Sequence, residues 1–209
     1  NNYNIILTNS IKKKLLFVIK SFGYSILFLL YGKIKGIIDS TKHESIEIFS
    51  TTLDQNYTYK IFQIKNCRIY TDTVTDTAFI IDNRIINGPS FQHRNPKNAA
   101  VSENIVFQKG TPKLKKKLSG TVFSLLTGGG GNANYWHWLF DVLPRLKILQ
   151  TKKNLEEINF FLFPDIKEKY QFESLDILNI PLNKRISSKI FRHTQADIAL
   201  AVDHPYVLK

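Results

Sequence analysis

The sequence contains no methionine and only one cysteine, Cys67, in 209 residues. A single cysteine excludes an intramolecular disulfide and any zinc site built from paired thiolates. Because a complete reading frame begins with methionine, a chain that starts at Asn1 is expected to be a fragment of a longer protein. The sequence also lacks an Asp-x-Asp pair, a Gly-Lys-Ser/Thr loop and a Gly-x-Ser-x-Gly turn. These absences argue, in that order, against a carboxylate metal site for a nucleotide-sugar, a P-loop nucleotide site and a serine hydrolase site.

Acidic residues are few relative to basic ones. The chain has 29 lysines and arginines against 17 acids, a net charge of +12, and residues 1–38 contain no acid. Six lysines lie in that segment: Lys12, Lys13, Lys14, Lys20, Lys33 and Lys35. A second cluster consists of Lys109, Lys113, Lys115, Lys116 and Lys117. Positive charge favours anionic partners. The second cluster lacks the arginines and interleaved aromatics of a nucleic-acid groove, so we interpret it as a solvated loop and expect no nucleic-acid partner.

Residues 15–31 form an apolar run that Lys20 interrupts. A membrane span needs roughly 20 apolar residues, so the run is short for a span. It also lacks the small-residue cleavage site of a signal peptide. Two interpretations stay open for this leader, which we place at residues 1–38. One is a helix in the membrane interface, with residues 12–35 on an anionic membrane surface; the other is a soluble helix packed on the domain.

Residues 39–118 are predicted to form a small, mostly antiparallel β region. Tyr57 to Ile64 alternates between apolar and polar side chains in the manner of a strand. Further short strands are predicted at 68–70, 78–81 and 84–86. Asp82-Asn83 is a two-residue turn typical of a β-hairpin, and Gly110 with the second lysine cluster is predicted to be a linker loop.

Residues 119–209 are predicted to form a parallel-sheet, Rossmann-like lobe, which makes the whole chain α/β. Strands are expected at 121–126, 158–163, 189–192 and 196–202. A helix from Asn134 to about Gln150 and a second helix capped by Asp165 separate them. Strand–helix alternation of this kind indicates parallel strands joined by crossover helices.

A glycine run lies between the first strand and the first helix of this lobe. Successive glycines suit a turn where a ligand approaches the backbone closely, and ligands of α/β proteins bind at the carboxyl ends of strands. The free N–H groups at the start of the next helix suit a phosphate or a sugar hydroxyl. We therefore predict substrate contacts at this turn and helix start. The residues are Gly129, Gly130, Gly131, Asn132, Asn134, Tyr135 and Trp136.

His137, Asp141 and Arg145 recur every four residues, which places them in one stripe on a helix. A carboxylate beside an imidazole raises its basicity, as a general base requires to take a proton from a hydroxyl. A structural pair held by Arg145 fits the same spacing. Gly128, Gly130 and Ala133 also satisfy a dinucleotide fingerprint, but the acid expected about 20 positions later is missing.

The segment from Asn134 to Leu146 reads N-Y-W-H-W-L-F-D-V-L-P-R-L. It resembles the hallmark N-Y-x-H-W-L-x-D-x-L-P-R-L of glycosyltransferase family 61, whose members are often described as capsular polysaccharide biosynthesis proteins. The resemblance covers roughly residues 45–209, and its specific part is residues 128–146.

The resemblance implies a two-lobed, GT-B-like enzyme whose N-terminal lobe holds the acceptor. A second lobe, which this chain lacks, would bind a nucleotide-sugar, so the chain alone is expected to be inactive. The resemblance further implies inverting transfer to a glycan or lipid-linked glycan in surface polysaccharide or lipopolysaccharide synthesis. It implies no metal and no other cofactor, and we expect a cytoplasmic location at the inner face of the membrane. His137 and Asp141 match the catalytic positions, and Arg145 would hold that pair or a phosphate oxygen.

Two other classes of function stay open on sequence grounds. The net charge motivates a non-catalytic module that binds carbohydrate or nucleic acid. The glycine run alone motivates a dinucleotide-dependent enzyme.

Overall fold

A computed structural model describes residues 2–54, 57–73, 75–94, 97–126 and 133–205 of the chain. The helices are α1 (Asn2–Tyr31), α2 (Val106–Lys109), α3 (Tyr135–His137), α4 (Pro144–Gln150) and α5 (Lys169–Ile177). The strands are β1 (Gly36–Asp39), β2 (Ile46–Asp54), β3 (Tyr57–Thr71), β4 (Asp76–Ile81), β5 (Arg84–Asn87), β6 (Phe91–Arg94), β7 (Lys97–Asn98), β8 (Lys116–Ser124), β9 (Phe160–Phe163), β10 (Arg185–Ser187) and β11 (His193–Val202). A π-helical turn, Trp138–Val142, lies between α3 and α4.

One mixed sheet contains most of these strands, in the order β1-β5-β4-β3-β11-β8-β9-β10. Strand β2 also pairs with β3, and β6 pairs with β4. The chain is therefore α/β, as the sequence predicts. Strand β11 pairs antiparallel with β3 and parallel with β8. It thus connects the strands of the predicted β region to those of the predicted lobe.

The strands β2 to β5 pair antiparallel with their neighbours in sequence. The hairpin turn predicted at Asp82 and Asn83 is confirmed, with φ of 49° and 58°. Positive φ at both positions is the geometry that matches the twist of a two-residue hairpin, and Asp and Asn tolerate it better than most residues.

The strands β8, β9 and β10 are parallel neighbours. After β10 the chain returns to place β11 on the opposite side of β8, so the strand order reverses at β8. Leu200 of β11 lies level with Phe123 of β8, and the two strands consequently end at the same edge of the sheet. Ligands of α/β sheets bind outside the carboxyl ends of strands at such a reversal.

Several sequence predictions are wrong in their bounds. The second lysine cluster is not wholly a linker loop, because Lys109 ends α2 and Lys116 and Lys117 begin β8. The strand predicted at 121–126 is β8, which starts earlier and ends at Ser124. Residues 68–70 do not form a separate strand, because β3 continues past Asn66, whose φ is 49°. Residues 189–192 lie in the connection between β10 and β11 rather than in a strand. Helix α5 begins at Lys169 instead of after Asp165, because Glu168 forms a reciprocal capping box with Gln171.

The helical segment after β8 is anchored by Trp138. Its side chain is fully buried in the cluster that also contains Phe123 and Phe161. The indole Nε1–H donates to Ser174 Oγ of α5 at 2.8 Å, which satisfies the one polar atom of a buried indole. Truncation of such a side chain costs about 3–5 kcal/mol, so this segment is held firmly against the sheet.

Helix α1 carries exposed apolar side chains along its described part, such as Phe17 (73% exposed) and Leu29 (82% exposed). By length and composition alone, Lys14–Tyr31 could cross a membrane, and it is the one such helix among the described residues. Its last residue contacts the rest of the chain. Tyr31 Oη accepts from the Lys115 N–H at 3.0 Å, and its ring packs edge-on against His193, with centroids 4.8 Å apart.

Buried His193 makes folding sensitive to acid. Its Nδ1 lies 2.9 Å from the Lys113 carbonyl oxygen, and burial lowers its pKa to about 4. Between about pH 6.5 and about pH 4 the unfolded chain takes up a proton that the folded chain refuses, so stability falls as the pH falls through this window.

We expect His193→Phe to remove this dependence. From about pH 7 to about pH 5 the native chain should lose about 1–2 kcal/mol more unfolding free energy than the variant does. Denaturant titrations of both proteins at each pH measure the difference. Parallel losses in the two proteins would contradict the prediction.

Candidate active site

The residues from Asn134 to Gln150 form a helix with one widened turn. Asn134 caps its start, because its side-chain oxygen accepts from the His137 N–H at 3.3 Å. At the π turn the Leu143 N–H donates to the Trp138 carbonyl, five residues back, at 3.1 Å. Pro144 follows at the first position of α4. A proline inside a regular helix clashes with the preceding turn, and the wider turn accommodates it. Such π turns often occur at functional sites.

His137 and Asp141 form the central contact of the site. Their Nδ1 and Oδ2 atoms lie 2.5 Å apart. The His137 side chain is 42% exposed, whereas that of Asp141 is 10% exposed. A carboxylate next to Nδ1 favours the tautomer with a proton on Nδ1, which leaves Nε2 as the basic nitrogen. The pair can therefore accept a proton from a bound hydroxyl.

The chain directly after β11 contributes two further residues: His204 reaches the pair, and Asp203 lies near Arg145. His204 Nε2 lies 3.8 Å from Asp141 Oδ1, and its ring stacks on Phe91 with centroids 5.9 Å apart. Asp203 Oδ2 accepts from the Lys60 N–H at 2.7 Å, and burial raises the pKa of Asp203. Asp141 therefore has one imidazole near each carboxylate oxygen.

Arg145 is buried one helical turn after Asp141. It is 5% exposed; its Nε donates to the Asp141 carbonyl at 3.0 Å and its guanidinium to the Leu126 carbonyl at 3.2 Å. Burial lowers its pKa to about 10, and the charges of Asp141 and Asp203 oppose that shift. Arg145 thus ties the end of β8 to the helix that carries Asp141.

Two exposed aromatic residues precede His137. Trp136 is 62% exposed and packs on Phe140, with ring centroids 4.3 Å apart. Tyr135 is 57% exposed and packs edge-on against Tyr170. Exposed aromatic rings next to polar groups provide flat apolar surfaces on which a ligand can stack.

The structure brings together the predicted residues from Asn134 to Arg145. Gly129, Gly130, Gly131 and Asn132 lie outside the described residues. Sequence reasoning missed Asp203 and His204. The available signal was their position directly after a buried apolar run ending at Val202, at the carboxyl end of a predicted strand.

No group of three metal-ligating side chains lies close enough to hold a metal ion among the residues that the structure describes. A groove of about 600 Å³ lies elsewhere, at the amino ends of β9 and β10, where Lys147, Lys153 and Lys184 line it. It does not include the His137–Asp141 pair.

We place the candidate site at this pair. The pair consists of two titratable side chains, and it follows β8, the strand at which the strand order reverses.

Comparison of the chain with protein-family models, with curated proteins and with solved structures gave no match.

Proposed function

We propose that this chain forms the acceptor-side lobe of an inverting glycosyltransferase that uses a nucleotide-sugar donor. The observation that carries the proposal is the His137–Asp141 pair at the carboxyl edge of β8 and β11. That edge is where α/β proteins bind ligands. The motif from Asn134 to Leu146 supplies the resemblance to glycosyltransferase family 61.

In the proposed reaction the pair acts as a general base. His137 Nε2 takes the proton of an acceptor hydroxyl, and the Asp141 carboxylate stabilises the imidazolium that forms. The acceptor oxygen attacks the anomeric carbon as the bond to the nucleoside diphosphate breaks, which inverts the configuration in one displacement. Asp141 itself as the base is the alternative within this mechanism.

We propose a GT-B-like arrangement in which a second lobe faces this site and holds the nucleotide-sugar. The four parallel strands β11, β8, β9 and β10 support a Rossmann-like lobe here. The acceptor would be a glycan or a lipid-linked glycan of a surface polysaccharide or lipopolysaccharide. No metal takes part in the proposed reaction, and the enzyme would work at the cytoplasmic face of the membrane.

The test of this proposal is sugar transfer by the complete gene product. A panel of nucleotide-sugars is offered with lipid-linked and free glycans, and the released nucleoside diphosphate is measured. Magnetic resonance of the product gives the configuration of the new bond. Inversion without added divalent metal is expected. Retention, or transfer that chelators abolish, would reject the mechanism.

The exposed Trp136 is expected to contribute to acceptor binding. Trp136→Ala should weaken binding of a glycan acceptor about fivefold, because a stacked ring contributes roughly 1 kcal/mol. Calorimetric titration of the glycan measures the loss. Phe172→Ala, at a 39% exposed aromatic on α5, is the matched control and should leave the affinity unchanged. Equal affinity in all three proteins would remove Trp136 from the site.

A carbohydrate-binding module without catalysis is the second candidate function. The exposed rings of Trp136 and Phe140 favour it, because they could hold a glycan whether or not a donor lobe exists. Glycan binding by a complete gene product that never releases nucleoside diphosphate would support this candidate over the enzyme.

We also propose that residues 12–35 associate with an anionic membrane surface. The exposed apolar side chains of α1 support this role. Flotation of the chain with vesicles, compared with a chain lacking residues 1–38, tests it. Equal flotation of both forms would contradict it.

A further inference from the structure

The end of α1 meets a segment that is distant in sequence, residues 109–117. This segment, called the lysine loop below, runs from the last residue of α2 to the first two residues of β8. Lys115 donates its N–H to Tyr31 Oη, and Lys115 Nζ lies 5.7 Å from the centre of that ring. Gly110 has a φ of +62°, and a Cβ there would lie 3.1 Å from the Phe28 ring. Glycine thus lets the loop pass close against the last turns of the helix.

This junction carries strong positive charge. Four lysines of the lysine loop are exposed: Lys109, Lys115, Lys116 and Lys117. Lys33 and Lys35, also exposed, follow α1 directly. The sequence has no acid between Glu103 and Asp141. Asp72 and Asp82 are the acids that line the neighbouring hollows, so basic groups outnumber acidic ones around the base of the helix.

Apolar side chains are exposed among these charges. Leu114, inside the lysine loop, is 73% exposed, and Ile190 is 61% exposed. Lys116 Nζ lies 4.8 Å above the ring of Phe191, the residue after Ile190, so the segment that contains Ile190 passes beside the lysines. Exposed apolar residues between lysines are typical of surfaces that lie in a membrane interface.

A hollow of about 540 Å³ opens between α1 and the lysine loop. Tyr24, Lys109, Lys113 and Arg192 contribute to its lining. It offers three cationic groups against one carboxylate, Asp72, next to aromatic side chains, a combination that suits a phosphate with an attached lipid chain.

We propose that the lysine loop binds anionic lipid headgroups beside the end of α1, where that helix meets the membrane surface. The exposed apolar helix brings the loop to the membrane surface. Each lysine near an anionic surface then adds to the free energy of membrane binding. The membrane surface would thus be contacted by two segments far apart in sequence. This inference rests on the proposed membrane association of α1 but not on sugar transfer, so its outcome and that of the proposed transfer reaction can be separated.

The first experiment uses the whole chain and two variants of equal charge change. One variant replaces Lys109, Lys115, Lys116 and Lys117 by glutamine, and the control replaces the exposed Lys147, Lys152, Lys167 and Lys169 by glutamine. Vesicles consist of phosphatidylcholine alone or mixed with phosphatidylglycerol. Binding of the loop variant to the mixed vesicles should fall about 100-fold, and the control should stay within about threefold of the native chain.

Two outcomes would overturn the proposal. One is an equal loss in both variants, which would mean that net charge alone governs binding. The other is loss of duplex-DNA binding in the loop variant with unchanged vesicle binding, which would make the loop a nucleic-acid site. Circular dichroism of each variant establishes that the fold is intact.

A second experiment measures whether the lysine loop touches the vesicle surface. It remains informative when α1 alone is enough to bind the chain to vesicles. Leu114→Cys introduces an exposed thiol, and the native Cys67 is fully buried with its pKa raised by burial to about 12. A fluorophore on position 114 should become protected from aqueous iodide on anionic vesicles. The same label on Ile177→Cys, where the native side chain is 80% exposed, should stay accessible. Equal quenching at both positions on bound protein would refute the proposal.

Discussion

If the full-length protein is the proposed glycosyltransferase, replacing Asp141 by asparagine is expected to lower its kcat by about 100-fold or more. The amide keeps the size of the carboxylate but loses its charge. It can also donate to His137 Nδ1, which would place the ring proton on Nε2 and leave no basic nitrogen toward the acceptor. His137→Ala should lower kcat by a similar factor, and the double variant should be little worse than either single one, because the two residues act as a unit.

Two controls separate this catalytic role from a structural one. Asp176→Asn removes a carboxylate that is 68% exposed and should leave kcat unchanged. Added imidazole should restore part of the activity of His137→Ala, because the His137 side chain is 42% exposed and leaves an open space. Native turnover in Asp141→Asn, with an unchanged melting curve, would mean that the pair is structural.

Arg145→Met is expected to destabilise the chain by about 3–5 kcal/mol. The variant leaves the carbonyl oxygens of Leu126 and Asp141 without these donors, and it removes the positive charge that offsets two nearby carboxylates. Denaturant unfolding, followed by circular dichroism in a mild detergent that covers α1, measures the loss.

Arg145→Lys should recover less than half of that stability. A single ammonium group cannot reproduce a planar fork that reaches two separate carbonyls. Arg84→Met, at an exposed arginine of β5, is the matched control and should cost less than about 0.5 kcal/mol. If Arg145→Met behaved like Arg84→Met, Arg145 would not be holding β8 to the helix.

Local signals predicted much of the fold. Short apolar runs located β4 and β5, and Asp82-Asn83 gave the turn between them. The period of four placed His137 and Asp141 in contact, because that spacing fixes their relative position on any helix. Pro144 lies inside the helix predicted from Asn134 to about Gln150, and the structure accommodates it with a widened turn rather than a helix end.

Properties that depend on distant parts of the chain could not be predicted from local patterns. Residues 189–192 are apolar enough for a strand but lie in a connection, because strand formation depends on finding a partner. His204 reaches Asp141 only because β11 returns to the side of β8 opposite to β9. Pairing between strands far apart in sequence determines such contacts. The apolar periodicity within one segment does not predict which strands will pair. The relation to a donor lobe stays a prediction.

The double pairing of β11 has a consequence for how the chain is made. This strand is the last of the described strands to leave the ribosome, yet it pairs with β3 on one edge and β8 on the other. Until it emerges, both partners present unpaired backbone edges, which are prone to pair with other chains. Contacts so distant in sequence also slow folding. Synthesis of this protein should therefore depend on chaperones that shield nascent strands, and mutations that weaken β11 should reduce its soluble yield before they affect its chemistry.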